Sequence, residues 1–273
     1  MTRSMPTRPG DTTAQSVRSA WRWALAGGLL GASVALVVFA PASWLAAAVT
    51  SASHERVRLV QAQGTVWDGS ALLELTGGAG SRDVSALPSR LHWQLRPSTF
   101  GLAGALHSSC CTAAPWSLAW EAGWASQRLR LGDGPLRWPA QLLSGLGTPW
   151  NTLQPEGDLL LQLRGLSLEW TGADFQLEGQ AQLDALGLSS RLSDLRPLGS
   201  YRLSVTGPGQ PKLGVTTLEG SLQLTAQGQF SSGQLHLTGQ AQAAPGREAA
   251  LSNLLNLIGR RSGERSLISI GNP

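Results

Sequence analysis

A run of 26 residues without a charge, 24–49, separates an arginine-rich tail from a long alternating sequence. Nothing else in the 273 residues constrains the fold as strongly. Wound as one helix, such a run would reach about 39 Å, more than the roughly 30 Å of a bilayer's hydrocarbon core. The tail before it holds Arg3, Arg8, Arg18 and Arg22 against a single acid, Asp11. That bias favours a cytoplasmic N-terminus, and Trp21, Trp23 and Trp44 flank the run where amphipathic rings prefer the interface. The sequence therefore divides into a cytoplasmic basic tail, 1–22, a transmembrane anchor, 23–49, and one large extracytoplasmic domain, 50–273. The competing reading is a cleaved signal peptide, since Ala40-Pro41-Ala42 imitates a cleavage site. The apolar stretch before Ala40 already exceeds a usual signal core and continues past Pro41, which favours retention. Either way the domain is exported.

The net charge of +4 is misleading until it is placed along the chain. The tail supplies 4 − 1 = +3, and from residue 51 onward 17 basic residues face 16 acidic ones. All of those basic residues but Lys212 are arginines, with no cluster and no basic strip interleaved with aromatics. The electrostatic footprint of a nucleic-acid-binding protein is missing.

The exported part is rich in Gly, Pro, Leu and Trp, with short runs that alternate at period two. Leu91, Trp93 and Leu95 form one run, Trp116, Leu118 and Trp120 another, and Leu129 with Leu131 a third. Leu159, Leu161 and Leu163 are followed by Leu166, Leu168 and Trp170, so the phase slips at Gly165, the mark of a bulge or bend rather than a break. Tyr201, Leu203 and Val205, then Leu222, Leu224 and Ala226, then Leu235 and Leu237 continue the series. Period two means strands with one buried and one wet face. Roughly ten strands follow at the spacing of antiparallel all-β proteins.

Two segments depart from that rhythm. Over 138–147, Pro139 suits a first helical turn, Leu142, Leu143 and Leu146 share a face, and Gly147 is placed to cap. After Pro245, Leu251, Leu254, Leu255 and Ile258 keep i, i+3, i+4, i+7 spacing, Glu248 favours the first turn and Gly259 ends it. Both read as short helices packed on their own domain, with a docking helix as the alternative. An internal repeat is also visible: residues 156–163 match 219–224, and 176–182 match 236–242, which marks units at about 156–183 and 219–243. The predicted fold class is mainly β: one N-terminal transmembrane helix, then an elongated, twisted antiparallel sheet curled into a groove or incomplete barrel, with two short packing helices.

No residue pattern carries chemistry. Cys110 and Cys111 are adjacent and alone, which leaves open a vicinal disulfide, a cross-link to a partner, or free thiols. His54, His92, His107 and His236 are scattered, without metal-ligand spacing. Gly77-Gly78-Ala79-Gly80 and Gly145-Leu146-Gly147 read as turns, as do Asp68, Asp158 and Asp174 beside glycines at strand ends. No catalytic, cofactor-binding or metal-binding residue is expected.

The chain resembles the type II secretion system protein N family (general secretion pathway protein N). The resemblance lies in residues 60–71, VQAQGTVWDGSA, and 91–97, LHWQLRP, and continues through 146–153, LGTPWNTL. Ser190-Arg191-Leu192 with 197–201, PLGSY, extends it, and 253–261, NLLNLIGRR, with 267–271, LISIG, closes it. These blocks cover nearly the whole chain, and the resemblance carries no role over to Cys110 and Cys111. The resemblance implies a non-enzymatic, single-pass inner-membrane component of a Gram-negative machine that exports folded proteins from the periplasm. Implied partners are the other inner-membrane platform subunits, above all the bitopic one linking the platform to the outer-membrane secretin, with no cofactor. A second reading, from shape alone, is an envelope lipid-transfer protein whose curled, leucine-lined sheet carries acyl chains.

Overall fold

The computed structural model describes residues 12–271 apart from 173, 232 and 233. The basic residues Arg3 and Arg8, with Asp11, lie outside the described residues. The uncharged run is not one helix. Helix α1 (Thr12–Val38) ends short of Pro41, which has no N–H to donate and disfavours helical backbone in the residue before it. Pro41 then caps a second helix, α2 (Ala42–Ala52), so the expected continuous anchor through residue 49 is divided. Among the described residues no helix is long and apolar enough to cross a membrane. The division coincides with the boundary between two compact units, residues 1–40 and 41–273.

From Val57 the chain forms sixteen strands among the described residues, against the roughly ten expected. β1 (Val57–Gly64), β2 (Asp68–Thr76), β3 (Val84–Ala86), β4 (Leu91–Ser98) and β5 (Gly101–Ser108) come first. β6 (Trp116–Ala122), β7 (Gln127–Leu131) and β8 (Gly134–Pro139) lead to the two longest, β9 (Glu156–Thr171) and β10 (Asp174–Ser189). β11 (Gly199–Thr206), β12 (Lys212–Gly220), β13 (Leu222–Ser231) and β14 (Gln234–Ala243) follow, and β15 (Arg260–Ser262) and β16 (Arg265–Ile270) close the chain. They make one antiparallel sheet in the order β1-β2-β4-β5-β6-β7-β9-β10-β11-β12-β13-β14-β16-β15, with β3 beside β2 and β8 beside β9. The two end strands do not pair, so the sheet stays open rather than closing into a barrel.

The phase slip at Gly165 organises the middle of this sheet. Ser167 faces Glu178 and Arg164 faces Gln180, so Gly165 and Leu166 oppose Gly179 alone in a bulge. Gly165 adopts a left-handed φ of 57° that a side chain would disfavour. Its N–H donates to Asp133 Oδ1 at 2.6 Å. The bulge keeps Leu161 and Leu163 on the same face as Leu166 and Leu168, where they pack with Leu177, Phe175 and Val205. Below the slip β9 pairs with β8, above it with β7.

Both expected packing helices are present. Residues 140–146 form a 3-10 helix behind Pro139, ended by Gly147 at φ 77°. Its Leu142 packs with Leu87 and Cys111. Helix α4 (Glu248–Ile258) buries Leu251, Leu254 and Leu255 against Leu198, Tyr201, Leu222 and Ala241, the largest core of the molecule. Arg260 and Arg261, just past α4, begin β15. A fourth core forms where α2 lays Ala42 on Ala71 and Trp93, with Trp93 Nε1 donating to the Thr65 and Val66 carbonyls at 3.3 and 3.1 Å. The two repeat segments fall on β9–β10 and on β13–β14 with the end of β12. Each contains a hairpin, but Leu161 pairs with Leu183 in the first while its counterpart Leu224 pairs with Ala241 in the second, so their registers differ by two residues.

Candidate docking surfaces

Side chains singled out for chemistry serve local structure. Cys110 and Cys111 are joined in a vicinal disulfide in the β5–β6 turn, with Cys111 buried beneath Leu142. His92 and His107, far apart in sequence, face each other across β4 and β5, a juxtaposition that single-sequence spacing does not reveal. His107 Nδ1 lies 2.9 Å from Thr112 Oγ1. Among the described residues no group of three or more His, Cys, Asp or Glu is placed to hold a metal ion. Asp68 sits in the β1–β2 turn, its N–H donating to Thr65 Oγ1 at 3.0 Å. Asp158 accepts from Arg137 at 2.8 Å. The Gly77–Gly80 stretch turns the chain after β2, where the Gly78 N–H donates to Thr76 Oγ1 at 3.1 Å.

Charge on the sheet is spent on cross-strand pairing. Arg202 on β11 holds Asp184 on β10 through two bonds, Nε to Oδ1 at 2.7 Å and Nη2 to Oδ2 at 2.8 Å. Those bonds hold the Asp184 carboxyl below its ordinary range. Arg128 on β7 does the same for Glu169 on β9, at 2.7 Å. Burial pushes the Tyr201 phenol up, and its hydroxyl donates to the Leu222 carbonyl at 3.1 Å.

Contact surfaces are more distinctive than any side-chain cluster. At the C-terminal edge, β15 covers β16 only from Arg265 to Leu267, leaving the far side of Ile268–Ile270 unpaired by any described strand. Leu267 and Ile270 are exposed there, as is Leu257 on α4. The other end of the sheet is guarded: α2 packs over β1 and β2. A different apolar feature lies on the rim made by the β4–β5, β6–β7 and β9–β10 turns. Phe100, Trp124 and Trp170 are exposed on it. A cleft of about 600 Å³ runs between Trp120, Trp124, Leu129 and Trp170.

Three segments distant in sequence meet on the opposite rim. Leu153, from helix α3 (Trp150–Leu153), and Leu192 and Leu195 of the β10–β11 loop all pack against the core that α4 covers. The Leu153 carbonyl accepts from Ser190 Oγ at 2.7 Å and from the Arg191 N–H at 3.3 Å. Residues 55–267, the whole sheet but its last strand end, match the family described as Type II secretion system (T2SS), protein N. The chain belongs to that family. The sequence blocks 146–153, 190–192 with 197–201, and 253–261 are the ones that assemble this rim, so what looks like separate family signatures is one packed structure. No curated protein and no solved structure matches the chain. The family places the chain in type II secretion, a protein-transport machinery, and so among components that meet other secretion subunits.

Proposed function

We propose that this protein is a non-enzymatic inner-membrane component of the type II secretion system. It supports export of folded proteins across the outer membrane through contacts of a periplasmic sheet. The family match over 55–267 carries this reading. α1 supplies the anchor, with the basic tail in the cytoplasm. Its described side chains from Trp23 onward are exposed all round, Leu25, Leu29, Leu30, Val34 and Leu36 among them, a pattern stable only under an apolar cover. The uncharged part of α1, residues 24–38, is only about 22 Å long, a deficit that bilayers meet by local thinning. The partners are other platform subunits, chiefly the bitopic one that reaches the secretin. The free side of Ile268–Ile270 and the apolar Leu257 form the docking edge, suited to addition of a partner strand.

The test is deletion of residues 41–273 in a secreting strain. Secretion of folded substrates should fall, and the other platform subunits should be recovered in lower amounts. Unchanged secretion with unchanged subunit levels would sink the proposal. The acyl-carrier reading has less support, because Leu163, Leu166 and Leu177 fill the inner face against one another and are nearly fully buried. Stoichiometric phospholipid in the purified protein, read by mass spectrometry, would revive it.

A further inference from the structure

Hairpin tips normally carry Gly, Asn, Asp or Ser, residues that suit tight turns and water. The β4–β5 tip here is Ser98-Thr99-Phe100-Gly101, and the β6–β7 tip is Ala122-Gly123-Trp124-Ala125-Ser126. Neither holds a charge. Phe100 is largely exposed and Trp124 completely so. The register makes these tips level: Gly101 faces Glu121, Ala122 faces Gln127, and Gln127 faces Trp170. Nearby, Arg128 with Glu169 and Arg130 with Glu121 are neutralised in pairs, whereas Arg96 on β4 and Asp174 on β10 are exposed and outside the described ion pairs.

The same rim receives the chain. Pro41, the first residue of the sheet unit, bridges to Thr65 in the β1–β2 turn, and α2 begins there by packing Ala42 near Trp93. The Leu95 N–H donates to the Trp67 carbonyl of the β1–β2 turn, and from Leu95 β4 continues three residues further to Ser98, about 10 Å along the strand. The turn that holds Pro41 and the aromatic tips therefore lie on one rim, with the tips projecting beyond the turn. Val38, the last residue of α1, is three residues from Pro41, at most about 10 Å of chain.

We propose that the Phe100 and Trp124 hairpin tips dip into the bilayer interface, giving the sheet a second membrane contact beside its anchor. The proposal rests on the reading of α1 as the anchor, which puts Pro41 at the membrane surface. Aromatic rings at the end of a rigid scaffold suit the headgroup boundary, where an apolar body and a polar edge are both satisfied. Because the tips are uncharged, the contact uses the apolar interface of any phospholipid and not anionic headgroups, so it persists in high salt. Its effect is to fix the tilt of the sheet, so that the far rim with α3 and α4 is held out from the membrane.

The experiment uses the full chain in phosphatidylcholine vesicles. Trp124→Cys and Phe100→Cys, at exposed sites, are labelled with an environment-sensitive fluorophore, with Glu264→Cys on the opposite rim as control. Blue-shifted emission quenched by brominated acyl chains at 124 and 100, unchanged in high salt and absent at 264, is the expected result. Water-like emission at all three sites, in protein that alkaline carbonate does not extract, overturns the rim contact and leaves the anchor intact. Extraction by carbonate overturns the anchor and the rim contact with it. Protection of 124 only in native envelopes and never in pure lipid would make the rim a protein interface and overturn the proposal.

Discussion

Asp184 shows how single side chains hold an open sheet in register. It lies directly opposite Arg202, with its side chain only 8% exposed, while Gln182 Nε2 donates to its second oxygen at 3.0 Å. A carboxylate so placed is favoured in its ionised form, and Arg202 lowers its folded pKa below the unfolded one. The sign follows from linkage: the stabilisation is complete above the unfolded carboxylate range and is lost as pH falls through the folded value. Asp184→Asn should therefore cost about 1.5 kcal/mol at pH 7, the scale of a hydrogen bond to a charged group. The gap between variant and parent, read as urea midpoints, should narrow steadily below about pH 4. A gap that stayed constant down to the acid transition would mean that charge at this site contributes nothing.

At the scale of elements, α4 combines two duties on two faces. Leu251 is fully buried beneath the sheet, whereas Leu257 is 56% exposed, on a helix that neighbours β16. Leu251→Ala should cost about 3 kcal/mol, the lost transfer energy plus a cavity. Leu257→Ala should change stability by less than about 0.5 kcal/mol. If Leu257 belongs to a docking face, its variant alone keeps the parent's unfolding midpoint yet loses secretion; full secretion with Leu257→Ala would remove that helix from the interface. Helix α4 was legible in the sequence because its spacing repeats over a whole amphipathic turn pattern, and Gly165 because a phase slip has few other causes. β5 was not legible: Gly101–Ser108 reads GLAGALHS, with apolar residues on both faces, and its neighbours leave nearly all of them half-buried. The β12 segment, with a threonine pair where leucines were sought, escaped for a similar reason. The C-terminal docking edge was invisible, since which side of a strand lacks a partner is a property of the whole pairing order. The His92–His107 juxtaposition was hidden likewise, being created by the β4–β5 register.

At the scale of the molecule, the decisive question is where the folded unit begins. Hydropathy treats residues 24–49 as one object, because an apolar helix looks the same whether lipid or a sheet covers it. Pro41 is what separates the two fates. Beyond it, Ala42 and Leu45 turn inward with Ala71, Leu59 and Trp93, and the small Ala42 side chain permits close approach of helix and sheet. The family match begins only at residue 55, which excludes α2. The packing places the true start of the unit at Pro41 instead. A chain of residues 41–273 should unfold in one cooperative transition, with Trp93 shielded from aqueous quenchers. A chain of residues 55–273 loses the cover over Trp93 and Ala71 and exposes the β1 end of the sheet, an invitation to edge pairing. We expect its first hairpin to exchange amide hydrogens much faster than β9–β10 and its unfolding midpoint to fall, while the core beneath α4 keeps its protection. Equal midpoints and equal exchange in β1–β2 for the two chains would show that α2 is merely a linker, and would move the start of the domain back to residue 55.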